Sequence, residues 1–191
     1  MPYEQYLSAG MHIGMKQQTK DMKKFIYKVR DDGLSVLDLQ TIEKRIQLAG
    51  KFISQFKNIM AVSRKNVGWK PVEKFVEIVN GKSVIGRFLP GTITNPSFRE
   101  YYEPEVIIVT DPLVDSQATK EALKARIPII ALADTSNETW GIDIVIPVNN
   151  KGRKSLAMVY FLLAKEILKI RGVKEEEMTF KPEEFEMVGE E

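Results

Sequence analysis

Three aspartates give this sequence its clearest opening for metal or phosphoryl chemistry. Asp38, Asp111 and Asp134 each stand at or just past a short Ile/Val/Leu-rich run that reads as a strand. In a parallel sheet ligands bind beyond the carboxyl ends of the strands, so three carboxylates converging there could hold Mg²⁺ or accept a phosphoryl group. The same residue type also serves as turn former and helix cap, and Asp111-Pro112 and Asp134-Thr135-Ser136 have the composition of such turns. Nucleophilic chemistry has less support. His12 is the single histidine, no serine sits in a Gly-x-Ser-x-Gly elbow, and there is no cysteine. Flanked by Met11 and Ile13, His12 is expected to be a hydrogen-bonded structural residue. The dinucleotide and P-loop glycine fingerprints are absent.

Anion binding has more to build on. Asn149-Asn150-Lys151-Gly152-Arg153-Lys154-Ser155 places three cations and two amides just before a long helical pattern. Backbone N–H groups and the helix dipole favour an anion at such a point, although Asn and Ser are also ordinary capping residues. Further cations gather elsewhere. Lys16, Lys20, Lys23, Lys24, Lys28 and Arg30 lie in or beside one loop, near Phe25 and Tyr27. Arg64, Lys65 and Lys70 surround Trp69, and Arg87 and Arg99 bracket a second loop. Any one such cluster reads as a hydrated surface. Four of them outside regular elements suit a folded RNA, whose backbone is neutralised by Lys and Arg and whose unpaired bases stack on aromatics.

The elements that must position these residues are legible from periodicity. Segments 25–29, 34–39, 58–63, 83–87, 105–110, 127–131 and 143–146 read as strands. The first two flank Arg30-Asp31-Asp32-Gly33, an Asp-Gly hairpin signal. Helical spacing runs over 41–56, over a segment after Pro71 that includes Val72, Phe75, Val76 and Val79, over 116–126 with Asp115 as its N-cap, and over 155–170. Strand-helix alternation predicts a three-layer α/β/α domain with a doubly wound parallel sheet and an added N-terminal β-hairpin. Segments 8–24 and 86–104 break the alternation. Loops of that length are usually functional or ordered by a partner.

Composition bounds the rest. The chain has 191 residues, 43% hydrophobic and 28% charged, enough for one core-bearing domain. No apolar run approaches the roughly 18 residues of a membrane span, no secretory signal is visible, and a cytoplasmic protein is expected. The formal charge of +2 conceals an asymmetry: residues 1–100 carry 17 Lys/Arg against 9 Asp/Glu, residues 101–172 carry 9 of each, and residues 173–191 carry 2 against 8. A domain over 1–172 with an acidic, solvated and mobile tail over 173–191 is expected. Phe180, Phe185 and Met187 leave open a second role for that tail, docking on a basic partner or folding back on the body.

The motifs, taken in order, resemble those of the small-subunit ribosomal protein S-two family in its archaeal and eukaryotic branch. The match runs through Ala9-Gly10-Met11-His12-Ile13-Gly14, Thr19-Lys20-Asp21-Met22, Asp32-Gly33-Leu34, Gly86-Arg87-Phe88-Leu89-Pro90-Gly91-Thr92-Ile93-Thr94-Asn95-Pro96, Val109-Thr110-Asp111-Pro112 and Ile146-Pro147-Val148-Asn149-Asn150-Lys151-Gly152-Arg153-Lys154-Ser155. The resemblance implies a flavodoxin-like sheet, no catalysis, no cofactor and no metal. It also implies a place on the solvent side of the small subunit where head and body meet, among small-subunit rRNA and neighbouring ribosomal proteins. A protein that supports subunit assembly and translation follows, monomeric when free and without membrane or small-molecule ligand. Thr92, Thr94 and Asn95 join the basic residues above as expected RNA contacts. The bacterial branch's coiled-coil insertion is missing between Leu39 and the next strand, and the chain stops at Glu191, far short of eukaryotic members. An archaeal source fits both. The rival reading is a metal-dependent phosphotransfer or nucleotide-binding domain on Asp38, Asp111 and Asp134.

Overall fold

The computed structural model describes residues 3–174 and 178–186. A short helix α1 (Tyr3–Ser8) leads into the hairpin of β1 (Ile26–Val29) and β2 (Ser35–Leu37). Then follow α2 (Leu39–Ile53), β3 (Ile59–Ser63), α3 (Trp69–Val79), β4 (Lys82–Ile85), β5 (Val106–Val109), α4 (Ser116–Ala125), β6 (Ile129–Ala133), β7 (Ile144–Pro147) and α5 (Arg153–Ile170). The five strands β3 to β7 are all parallel, in the order β4-β3-β5-β6-β7. Counted from β3 this is 2-1-3-4-5, the flavodoxin-like arrangement. The α/β expectation and the separate antiparallel hairpin are both borne out.

Alternation of side chains along each strand builds two cores. Ile59, Ala61, Val106, Ile108, Ile130 and Leu132 face α2, α3 and α5. Met60, Val62, Ile107, Val109, Ile129 and Ala131 face the opposite side, where α4 is the one helix among the described residues. Because both faces are covered, β3, β5 and β6 are buried at every position, as a parallel sheet requires. Helix α5 is the most enclosed, buried without interruption from Ser155 to Ala164. Its Tyr160 hydroxyl lies 2.7 Å from the Thr110 hydroxyl, which donates to the Val62 carbonyl and so ties α5 to the sheet. Burial pushes the Tyr160 phenol above its usual range.

The hairpin turns as its residues dictate: Arg30 N–H donates to Leu34, Gly33 N–H to Arg30, and Gly33 takes φ +83°. Strand β6 begins two residues later than expected. Pro128 has no N–H for the ladder and contributes only its carbonyl, which accepts from Ile107. Helix α2 begins two residues earlier, because Asp38 accepts from the Gln40 and Thr41 amides as its N-cap. Asp115 does not cap α4. Its carboxylate accepts from the Arg64 and Asp111 amides instead.

Both long segments are held by the chain itself. Segment 8–24 inserts Met11 and Met22, each fully buried, into the core. Gly14 N–H donates to Ser35 and Met15 N–H to the Thr135 hydroxyl. The approach is so close that a Cβ on Gly14 would lie 2.6 Å from Thr135. The loop between β4 and β5 takes the place of a crossover helix, covering the second face with Phe88, Ile93 and Tyr102. Its clamp is Glu121 of α4, whose carboxylate accepts from Gly91 N–H at 2.8 Å, Ile93 N–H at 3.3 Å and the Thr94 hydroxyl at 3.3 Å.

The acidic end differs from a wholly solvated tail. Phe180 and Phe185 meet each other and Phe161 of α5 edge to face, with centroids 5.6 to 6.0 Å apart, and Phe185 is fully buried. Residues 175–177 and 187–191, including Met187, lie outside the described residues.

The Glu121 clamp has a pH signature. Burial pushes its carboxyl up, but the hydrogen bonds from Gln117, Gly91, Ile93 and Thr94 outweigh that and hold it below the usual glutamate range. A depressed carboxyl adds stability that is complete above the unfolded pKa and is lost as pH falls through the folded one. Glu121→Ala should cost about 2–3 kcal/mol at pH 7 in denaturant unfolding, because four donors lose a charged acceptor. The gap to the parent chain should narrow below about pH 4.

Candidate nucleic-acid interface

The carboxyl ends of β3 to β7 form one edge, and a buried polar seam runs beneath it. Asn137, 2% exposed, donates to Asp111 at 3.0 Å and accepts from the Asp134 amide at 2.8 Å and from the Asn150 side chain at 3.0 Å. Asn150 also donates to the Leu132 carbonyl. Two of the buried aspartates face a lysine from outside: Lys65 reaches Asp111 at 2.6 Å, and Lys151 reaches Asp134 at 3.5 Å. Burial raises Asp134, with Thr135 and Lys151 opposing. Burial likewise pushes Asp115 up to about 6, against the Arg64 and Asp111 amides it accepts from.

This arrangement dismantles the metal reading. Asp38 is spent on capping α2, and Asp111 and Asp134 are occupied by lysine and amide donors. Among the described residues no three His, Cys, Asp or Glu side chains come together. His12 also departs from expectation. Its Nδ1 is buried without a hydrogen-bond partner among the described residues, and burial, then the Arg30 charge, lowers its pKa.

The seam brings together basic groups that are distant in sequence. Thr19 N–H donates to Thr135 and its hydroxyl to Asn137, Asp21 accepts from Thr139, and Asn149 is bonded to Gly10 and Met11. Segment 8–24, with exposed Lys16 and Lys20, is thereby stitched beside the start of α5, with exposed Lys151, Arg153 and Lys154. At the other end of the edge Arg64, Lys65 and Arg87 follow β3 and β4. Helix α5 starts at Gly152 without a side-chain cap, since Asn149 Oδ1 accepts from the Lys151 and Gly152 amides and Ser155 donates back to Asn149. Lys23, Lys24, Lys28 and Arg30 stay with the hairpin, all exposed; Lys24 stacks over Phe25, and Arg30 pairs with Asp32. Lys70 is half-buried in the first turn of α3, and Arg99 is exposed on the β4–β5 loop.

Some of the expected RNA contacts face inward. Asn150 is fully buried in the seam, and Thr92, 3% exposed, donates its hydroxyl to Leu89. Asn149 is half-buried with both ends of its amide engaged. Thr94 and Asn95 are exposed, although each is also bonded within its loop. Asn137 and Glu121 give no warning in the sequence, because a lone Asn in a turn and a lone Glu on a helix carry no spacing signal.

The seam and the outer cations should separate in stability measurements. Asn137→Ala should cost about 2 kcal/mol or more, because it strips partners from Asp111, Asp134 and Asn150 at once. Arg153→Gln with Lys154→Gln, both exposed, should shift the unfolding free energy by no more than about 0.5 kcal/mol.

The model of the family described as "Ribosomal protein S2" matches residues 6–102 and 99–169. Two archaeal proteins, each named small ribosomal subunit protein uS2, are similar over most of the chain. The protein from Staphylothermus marinus is 51% identical over 98% of this chain and 87% of its own length. That from Methanoregula boonei is 49% identical over 91% of this chain and 86% of its own length. By the family model that covers residues 6–169 and by relatives about half identical over most of its length, the chain belongs to the ribosomal protein S2 family, whose members are structural proteins and not enzymes.

Proposed function

We propose that the chain is a structural constituent of the small subunit of the cytoplasmic ribosome, held there by rRNA along the carboxyl edge of its sheet. The observation that carries this is the joining of segment 8–24 and the start of α5 over one seam. Residues 120 or more positions apart in sequence are bonded there, so that Lys16, Lys20, Lys151, Arg153 and Lys154 share one edge. A rigid row of cations suits phosphates spaced along a folded RNA, and recognition by shape needs no base-specific contact. The hairpin cations Lys23, Lys24, Lys28 and Arg30 extend the surface, as do Arg64, Lys65, Lys70, Arg87 and Arg99. Neighbouring small-subunit proteins cover other faces, and the family resemblance supports a position on the solvent side at the junction of head and body. The free chain is a monomer without a small-molecule substrate, and its incorporation supports subunit assembly and translation.

Sedimentation of cell extract at low and high salt tests the reading, with the chain expected to travel with small subunits. Recovery only as free monomer would sink it. For the contact itself, Lys151→Gln, Arg153→Gln and Lys154→Gln together should weaken rRNA association, with the log–log salt slope flattening by about one for each phosphate that is no longer neutralised. An unchanged affinity and slope would remove α5 from the interface.

A further inference from the structure

A hollow of about 330 Å³ opens at the ends of β3 and β4, beside the β5–α4 turn. This is where the strand order reverses, between the first and third strands of the parallel sheet, and doubly wound folds place their ligands in that crevice. The volume lies at the lower end of the range of about 300–1,000 Å³ typical of small-ligand sites. Two exposed arginines, Arg64 and Arg87, line it, and neither guanidinium has a carboxylate partner among the described residues.

Both arginines hang from fixed backbone. Arg64 N–H donates to Asp115, and its carbonyl accepts from the Trp69 indole at 3.3 Å. Gly86, just before Arg87, takes φ +77° and donates to Ser63 at 2.9 Å, which locks the end of β4 to the end of β3. Asp115 is also in the wall, but it is only 3% exposed and both of its oxygens accept backbone amides. Its carboxylate is thus held by backbone amides and pairs with neither arginine among the described residues. The remaining wall is apolar, with Phe88, Pro90 and Val114, while Ser116 offers a hydroxyl, and the Gln117 amide nitrogen is taken by Glu121, which leaves its oxygen to accept.

Two cations against an apolar wall exceed what inorganic phosphate needs, and they match a group that is anionic at one end and flat and apolar at the other. We infer that this crevice takes one unpaired nucleotide of an RNA strand, its phosphate on Arg64 and Arg87 and its base against Phe88, Pro90 and Val114. The inference rests on the rRNA reading above and adds to it a site for a single splayed-out nucleotide, away from the α5 cluster.

The test follows the backbone amide NMR signals of Phe88, Val114, Ser116 and Gln117 in the full chain. Hexauridylate, 5′-UMP and inorganic phosphate are titrated separately. Hexauridylate should move these four signals, Arg64→Gln with Arg87→Gln should weaken that binding about tenfold or more, and Val114→Phe should abolish the shifts while both arginines remain. If Val114→Phe does not fold, Ser116→Phe fills the hollow from another wall. Hexauridylate binding with the four signals still would overturn the crevice and leave the rRNA reading standing. Equal shifts from inorganic phosphate that persist in the filled variant would reduce the site to an anion contact and overturn the nucleotide. Shifts from 5′-UMP but not from hexauridylate would replace the strand by a free nucleotide. No binding of RNA anywhere on the chain would overturn both readings.

Discussion

One asparagine side chain governs the working edge of this molecule. A buried carboxylate is costly unless its oxygens are satisfied, and two of them, Asp111 and Asp134, end adjacent strands. Asn137 donates to the Asp111 carboxylate and accepts from the Asp134 amide and from Asn150, while the Asp134 carboxylate itself is met by the Thr135 amide and Lys151. Because Asn137 lies in the β6–β7 connection and Asn150 precedes α5, this amide sets the relative positions of β5, β6, β7 and the last helix. Segment 8–24 then docks on the same connection through Thr19 and Thr135. The shape of the basic surface is thus downstream of a neutral group.

The seam also shows how charge is layered. Acid lies inside and base outside: Lys65 and Lys151 neutralise the two aspartates from the solvent side, while Arg153 and Lys154 beside them make no ion pair among the described residues. A lysine engaged by a buried carboxylate offers less to a phosphate than a free one does. Lys65 and Lys151 therefore serve the fold first, and the unpaired cations carry the greater share of any attraction toward a polyanion.

Much of this is legible in the sequence, and the boundary between what is and is not is physical. Burial on both faces turns β3, β5 and β6 into continuous apolar runs, helical spacing marks α2 to α5, and Asp-Gly marks the hairpin, so the elements and their order can be read. The ordered motifs point to the family. What escapes are one-residue devices with no period. These include Asn137, the Glu121 clamp that replaces a crossover helix, and Asp115 turning from the expected cap of α4 to bond the Arg64 amide. Asn150 and Thr92 turn inward for a related reason, since polarity in a loop does not say whether the group faces water or satisfies a neighbour. At the acidic end the two phenylalanines are visible in the sequence, which leaves open whether they dock on a partner or fold back, and the contacts with Phe161 of α5 show the second.

A parallel sheet of five strands has two open margins, and here they are closed unequally. At β7 the strand ends in Pro147, which has no N–H to offer an incoming chain. At β4 the strand is four residues long, begins with Lys82 and is only half-buried, with Ile85 38% exposed. Short length and a leading lysine are the usual guards against edge-to-edge polymerisation. The β4 margin, with the Lys82 ammonium drawn over the Tyr102 ring at 4.9 Å, is where a loss of solubility would begin.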